Sequence, residues 1–348
     1  MSFGCCTLRH GFFLRSAELP YLNLRNCKTE DGITADGLRV QGNVFLRKLE
    51  SKGGLRFLAA QIGGSLDCSG ATLTAGGDAL SADRAKIAGG VFLGEKFSCS
   101  GEIRFLGAQI GGDLDCSGAT LTAEGYALSA DGADIAGRVL LREKFSSSGT
   151  IRLLDAQIGG YLDCTGATLT AKGDALIADR ANITRDVFLR EKFSSAGKIL
   201  FHGTKIGGDL ICAGARIRAL ACEHMGLHGN LIWVAIRDPE NSFLDLLGAS
   251  LEVLRDDTAS WPAPGNLVVK GLEYRDLAKH DPSTEEHLSA SQMAPQRPLD
   301  AGERVRAGSA CRMARTASTR RRGCGWRSSS RKRTILPATA RFSANTGA

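Results

Sequence analysis

Ala108-Gln-Ile-Gly-Gly-Asp-Leu-Asp-Cys116 recurs almost unchanged as Ala60-Gln-Ile-Gly-Gly-Ser-Leu-Asp-Cys68 and Ala156-Gln-Ile-Gly-Gly-Tyr-Leu-Asp-Cys164, each copy 48 residues from the next. A fourth copy, ending Lys205-Ile-Gly-Gly-Asp-Leu-Ile-Cys212, keeps the pattern. Weaker copies such as Ala133-Asp-Ile-Ala-Gly-Arg-Val-Leu-Leu141 lie between them, so the 48-residue unit is two turns of similar design. The anchor positions run Val40, Ile62, Ile87, Ile110, Ile135, Ile158, Ile183, Ile206, Leu227, Leu251 and Leu272, at steps of about two dozen residues.

Inside each step, apolar residues come in pairs two apart: Leu114 with Cys116, Ala119 with Leu121, Ile151 with Leu153, Ala156 with Ile158. A period of two puts both members on one face of a strand. Ser-Gly, Gly-Gly and Glu-Gly dipeptides between them mark corners, where glycine permits backbone angles that other residues resist. Two-helix repeats are longer and need apolar residues at i, i+3 and i+4, which these segments lack. The spacing therefore predicts an all-β fold, a right-handed parallel β-helix solenoid with about 24 residues per rung. One rung cannot bury its apolar face alone, so stacking closes the core. At roughly 4.8 Å per rung, eleven rungs make a rod on the order of 50 Å long.

Composition agrees: 348 residues with 43 glycines but only 4 tyrosines and 8 prolines suit short strands and many tight turns. The longest apolar run, Leu231-Ile-Trp-Val-Ala-Ile236, is far shorter than the 18 or so residues that cross a bilayer. Near the start, Arg9 and Arg15 bracket only Gly11-Phe-Phe-Leu14, too short for a secretory core. These features predict an unexported, cytoplasmic chain with no transmembrane segment. Residues 291–348 carry 12 Arg and 1 Lys against Asp300 and Glu303, a surplus of 11; since the whole chain sums to +7, the first 290 residues sum to −4. The predicted organisation is an N-terminal cap over 1–19, β-helix repeats over 20–280 and a disordered basic tail over 281–348.

Eleven cysteines invite a redox or metal reading. Aligned on the anchors, one inward position reads Leu46, Cys68, Leu93, Cys116, Leu141, Cys164, Leu189, Cys212, Trp233. Consecutive cysteines in it are two rungs apart, roughly 9.6 Å, beyond what a disulfide spans. Buried cysteine acting as a small hydrophobe between leucines accounts for the column. A redox chain would need exposed thiols with lowered pKa values.

The outward neighbour reads Phe45, Asp67, Phe92, Asp115, Leu140, Asp163, Phe188, Ile211, Ile232. Apolar residues along one exposed side predict either a stripe that binds a protein partner or a stripe roofed by the Arg-Glu-Lys-Phe loops of alternate rungs. Those loops, Glu95-Lys-Phe97, Glu143-Lys-Phe145 and Glu191-Lys-Phe193, place their charges on one edge as a solvated ladder.

Other chemistry finds less footing. Cys222-Glu-His-Met-Gly-Leu-His228 holds metal-ligand types, but a zinc site needs three or four of them converging, and His228 follows the anchor Leu227 and so points outward. The Ile-Gly-Gly pairs lie inside rungs and open no helix, which argues against a dinucleotide site. Asp67, Asp115 and Asp163 stack on one face as in a carbohydrate-active β-helix, yet copies made by duplication suit distinct acid and base roles poorly. No catalytic, cofactor-binding or metal-ligating residue is singled out, and no cofactor is expected.

The pattern Gly-Ala-x-Ile-Gly-Gly-x-Leu-x-Cys-x-Gly-Ala-x-Leu, at Gly107 to Leu121, resembles a group of bacterial repeat proteins commonly labelled membrane-associated oxidoreductases. More distantly it is similar to pentapeptide-repeat and bactofilin β-helices. The resemblance covers about residues 20 to 280 and implies a β-helix and an association with membranes. Its motif is a packing pattern with no catalytic residue to transfer. In longer relatives the repeats lead into a helical segment and membrane-spanning helices; here they give way to runs such as Thr319-Arg-Arg-Arg322 and Arg331-Lys-Arg333. Three readings of this tail stand: an arm for nucleic acid, an anchor for acidic lipid, or a shifted reading frame after about residue 290. Codons for Arg297-Pro-Leu-Asp-Ala-Gly302, read one nucleotide later, can encode Pro-Trp-Thr-Gln, similar to the start of the relatives' helical segment. The expected function is a non-enzymatic scaffold or protein-interaction module, peripheral to a membrane through partners. The alternatives are an oxidoreductase, as the label has it, or a carbohydrate-active β-helix.

Overall fold

A computed structural model describes residues 1–279 and a two-residue strand, Thr334–Ile335, whose backbone pairs antiparallel with Glu273–Tyr274. The tail, with Cys311 and Cys324, otherwise lies outside the described residues. The fold is an all-β parallel solenoid of about 12 coils with about 23 residues in each. One coil shows the plan, with short strands Gln61–Ile62, Leu66–Asp67, Thr72–Leu73 and Asp78–Ser81 on four successive faces. Each strand pairs in parallel with its equivalents in the coils before and after.

The first face stacks Leu19, Val40, Ile62, Ile87, Ile110, Ile135, Ile158, Ile183, Ile206 and Leu227 in continuous register. The column ends Leu251, Tyr274. Tyr274 thus replaces Leu272 as the last anchor. Leu272 is fully buried two residues earlier, at the corner position that Ala108 and Ala249 fill in their coils. The solenoid also begins earlier than residue 20, because Thr7–Leu8, Phe12–Phe13 and Glu18–Leu19 already pair with the second coil.

The 48-residue period is a period of side-chain size. On the second face the inward column alternates cysteine with leucine, as expected, and every member from Leu46 to Trp233 is fully buried. Three further columns alternate as well. At the following corner Leu49, Phe97, Phe145 and Phe193 alternate with Ala71, Ala119, Ala167 and Ala215. On the third face Ser51, Cys99, Ser147 and Ser195 alternate with Leu73, Leu121, Leu169 and Ile217. On the fourth, Phe57, Phe105, Leu153 and Phe201 alternate with Ala82, Ala130, Ala178 and Cys222. Each large side chain thus has small ones above and below it, and the columns fill the interior without overcrowding. The buried serines are satisfied locally: Ser51, Ser147 and Ser195 donate to the carbonyls of Gly53, Gly149 and Gly197 at 2.6–2.7 Å.

The glycine pairs of the repeat serve close approach rather than unusual dihedral angles. A Cβ on Gly111 would stand 2.2 Å from the Ala88 carbonyl oxygen of the preceding coil. True left-handed residues sit at other corners, including Glu143 (φ 57) with Lys144 (φ 70), and Glu191 (φ 51) with Lys192 (φ 73).

Candidate interaction face

The second face presents the outward column of Phe45, Asp67, Phe92, Asp115, Leu140, Asp163 and Phe188 in register. Its aspartates act as corner caps. Asp67 Oδ1 accepts from the Ser69 N–H at 3.1 Å and its hydroxyl at 2.6 Å, and Asp115 and Asp163 each accept an N–H two residues on, at 2.9 Å. Such short turns hold the strand end and leave little of the carboxylate free.

Arginines roof the apolar members. Arg25 lies 4.0 Å from the centre of the Phe45 ring and Arg190 lies 4.7 Å from that of Phe188, which Tyr161 also meets edge-on at 5.6 Å. Arg47 reaches up to Asp67 at 3.3 Å and, 48 residues along, to Glu95 at 2.6 Å. Arg142 lies 3.9 Å from Asp163. Leu140, Ile211 and Ile232 are buried, and Ile211, Ala213, Ile232 and Val234 pack with Phe188 as a small cluster outside the main core. The cover thus comes from arginines, Arg190 of an Arg-Glu-Lys-Phe loop among them, and not from the aromatic rings of those loops. Phe97, Phe145 and Phe193 are fully buried inside, because the left-handed pair before each one turns the chain inward.

The roof has a gap over Phe92. Val44-Phe-Leu-Arg47 and Val187-Phe-Leu-Arg190 become Val91-Phe-Leu-Gly94, which carries no guanidinium at that position. Phe92 is 36% exposed. Among the described residues no ion pair is made to Asp115, and Glu143, the equivalent of Glu95, is left with Arg142 of its own loop at 3.5 Å. The substitution of Gly94 for the repeat arginine is visible in the sequence, but its meaning depends on knowing which coil each arginine leans over.

The inward thiols differ sharply from this surface. Burial, with the neighbouring Asp115 adding to it, pushes the Cys116 thiol far up, and Cys68 and Cys164 are raised likewise beside Asp67 and Asp163. Burial alone lifts Cys99 to about 12. In the 222–228 segment Cys222 and Met225 face the core while His224 and His228 face solvent, so its ligand types diverge. Among the described residues no three His, Cys, Asp or Glu side chains gather as a metal's ligands. Along the first face runs an open groove of about 960 Å³, edged by Arg39, Gln61, Lys86, Gln109 and Asp134 over the buried anchor column. No described helix is long and apolar enough to cross a membrane. The chain matches no protein-family model, no curated protein and no solved structure.

Proposed function

We propose that this chain is a non-enzymatic repeat scaffold that docks a protein partner along its second face, in the cytoplasm or at a membrane surface. The parallel solenoid supplies a rigid surface on which chemistry repeats at fixed spacing. One observation carries the choice of face: at Gly94 the arginine that joins Asp67 to Glu95 is missing between Asp115 and Glu143, beside the exposed Phe92. The partner therefore presents an arginine into the gap. Exposed cation–π and ion-pair contacts are each worth about 1 kcal/mol or less, so a lone arginine binds weakly and the partner gains affinity by spanning neighbouring coils.

The test is titration of the full chain with a tri-arginine peptide, followed through the amide resonances of Phe92, Gly94 and Asp115. Shifts confined to this coil and its neighbours, and lost in Gly94→Arg, are expected. Shifts elsewhere, or shifts that persist in Gly94→Arg, would remove the gap as the docking point. Stoichiometric binding of flavin or nicotinamide would instead favour the oxidoreductase that the family resemblance suggests.

A further inference from the structure

The second-face cysteines stand two coils apart, but Cys6 and Cys27 stand on adjacent coils. Thr7 and Leu8 pair in register with Lys28 and Thr29, and the Lys28 N–H donates to the Cys6 carbonyl at 2.8 Å. Cys6 and Cys27 are therefore direct neighbours across one coil spacing of roughly 4.8 Å, inside the range of Cα separations that disulfides adopt. The Cys27 thiol is turned toward the backbone of the first coil. The Cys27 sulfur accepts from the Cys6 N–H at 3.4 Å and donates to the Phe3 carbonyl of the first coil at 3.2 Å. Cys6 donates to the Gly4 carbonyl at 3.4 Å.

Access differs between the two. Cys27 is fully buried while Cys6 is partly open and Cys5, at a left-handed corner (φ 55), is exposed.

We propose that Cys6 and Cys27 are an oxidisable dithiol whose disulfide staples the first coil to the second. The oxidant is a hydroperoxide. The Cys6 thiolate attacks its terminal oxygen, the O–O bond breaks, and Cys6 becomes a sulfenic acid while water or an alcohol leaves. The Cys27 sulfur then attacks the Cys6 sulfur; the S–O bond breaks and the departing hydroxide takes the Cys27 proton as water. Two thiols lose two hydrogens and two electrons, and the peroxide bond accepts them. Cys27, whose thiol burial holds up, is the resolving partner, and the accessible Cys6 reacts first.

The experiment treats the full chain with hydrogen peroxide, alkylates the remaining thiols in denaturant and maps the peptides by mass spectrometry. A Cys6–Cys27 linked peptide is expected, lighter by two hydrogens and released by dithiothreitol, with Cys68, Cys116 and Cys164 recovered alkylated. The linked peptide persists in Cys5→Ser and vanishes in Cys6→Ser. Full alkylation of Cys27 after peroxide, or a link to Cys27 that survives Cys6→Ser, overturns the proposal.

Discussion

Cys116 has Leu93 and Leu141 above and below it in its column, no exposed surface, and a carboxylate one residue away. Each of these disfavours the thiolate, so the sulfur packs as a small hydrophobe. Alkylation of Cys116 and Cys164 in native protein should lag far behind that of exposed Cys5, and should reach the same rate only in denaturant. Equal native rates would mean that the column faces solvent. Replacing Cys116 with Ser should cost about 1 to 3 kcal/mol if the hydroxyl finds no acceptor. Cys116→Ala should cost less, and Cys116→Leu should overpack against its large neighbours by about 1 to 3 kcal/mol. Ser147 shows the contrasting solution, a hydroxyl in the core given its own carbonyl acceptor at 2.7 Å. At the corners Lys192 holds a left-handed angle without being glycine (φ 73). Lys192→Gly should therefore raise stability by about 1 kcal/mol, read as a higher denaturant midpoint with unchanged slope.

Individual strands of two residues have no independent stability, and their positions come from what the corners do. Gly111 sits where two coils approach closely, so Gly111→Ala forces backbone apart and should cost about 1 to 3 kcal/mol by equilibrium unfolding. The second-face strand Val91–Phe92 differs from Val44–Phe45 mainly at the position two residues past its end, Gly94 in place of Arg47. Gly94→Arg should restore the roof, pairing with Asp115 and Glu143 as Arg47 pairs with Asp67 and Glu95, and should raise stability by a few tenths to about 1 kcal/mol. The gain should shrink in high salt. An unchanged or lowered midpoint in Gly94→Arg would show that this coil does not accept the arginine geometry of its neighbours.

Across the whole molecule, size alternation makes the two-coil unit the natural building block. Removing residues 109–156 joins Ala108 to Gln157 and keeps every large group over a small one. Removing only residues 109–133 stacks Phe97 on Phe145 and Phe105 on Leu153. The smaller deletion should be the more damaging, visible as a lower thermal midpoint than that of the 48-residue deletion. The buried thiols also set an alkaline limit. Each folded-state thiol is raised above its unfolded value near 9, with Cys99 at about 12. Their contribution is complete below pH 9 and declines as the pH rises toward about 12, because the unfolded chain ionises first. Replacing Cys68, Cys116, Cys164 and Cys212 together with Ala should flatten that decline.

Much of this is legible in the sequence. The anchor spacing specifies parallel stacking, and register alone places the cysteine column inward, because a two-residue side-chain period and a constant coil length leave one consistent alignment. Spacing misplaces the last anchor at Leu272 because a large corner residue mimics a strand residue when only spacing is visible. The corner column escapes such a reading although Phe97, Phe145 and Phe193 share a motif, because the left-handed pair before each one breaks the two-residue count that tells inward from outward. Only the tertiary structure decided which arginine leans over which ring, and that Cys6 stands beside Cys27. Both are relations between neighbouring coils, set by how side chains reach across the stack, and the order of residues along one strand does not contain them.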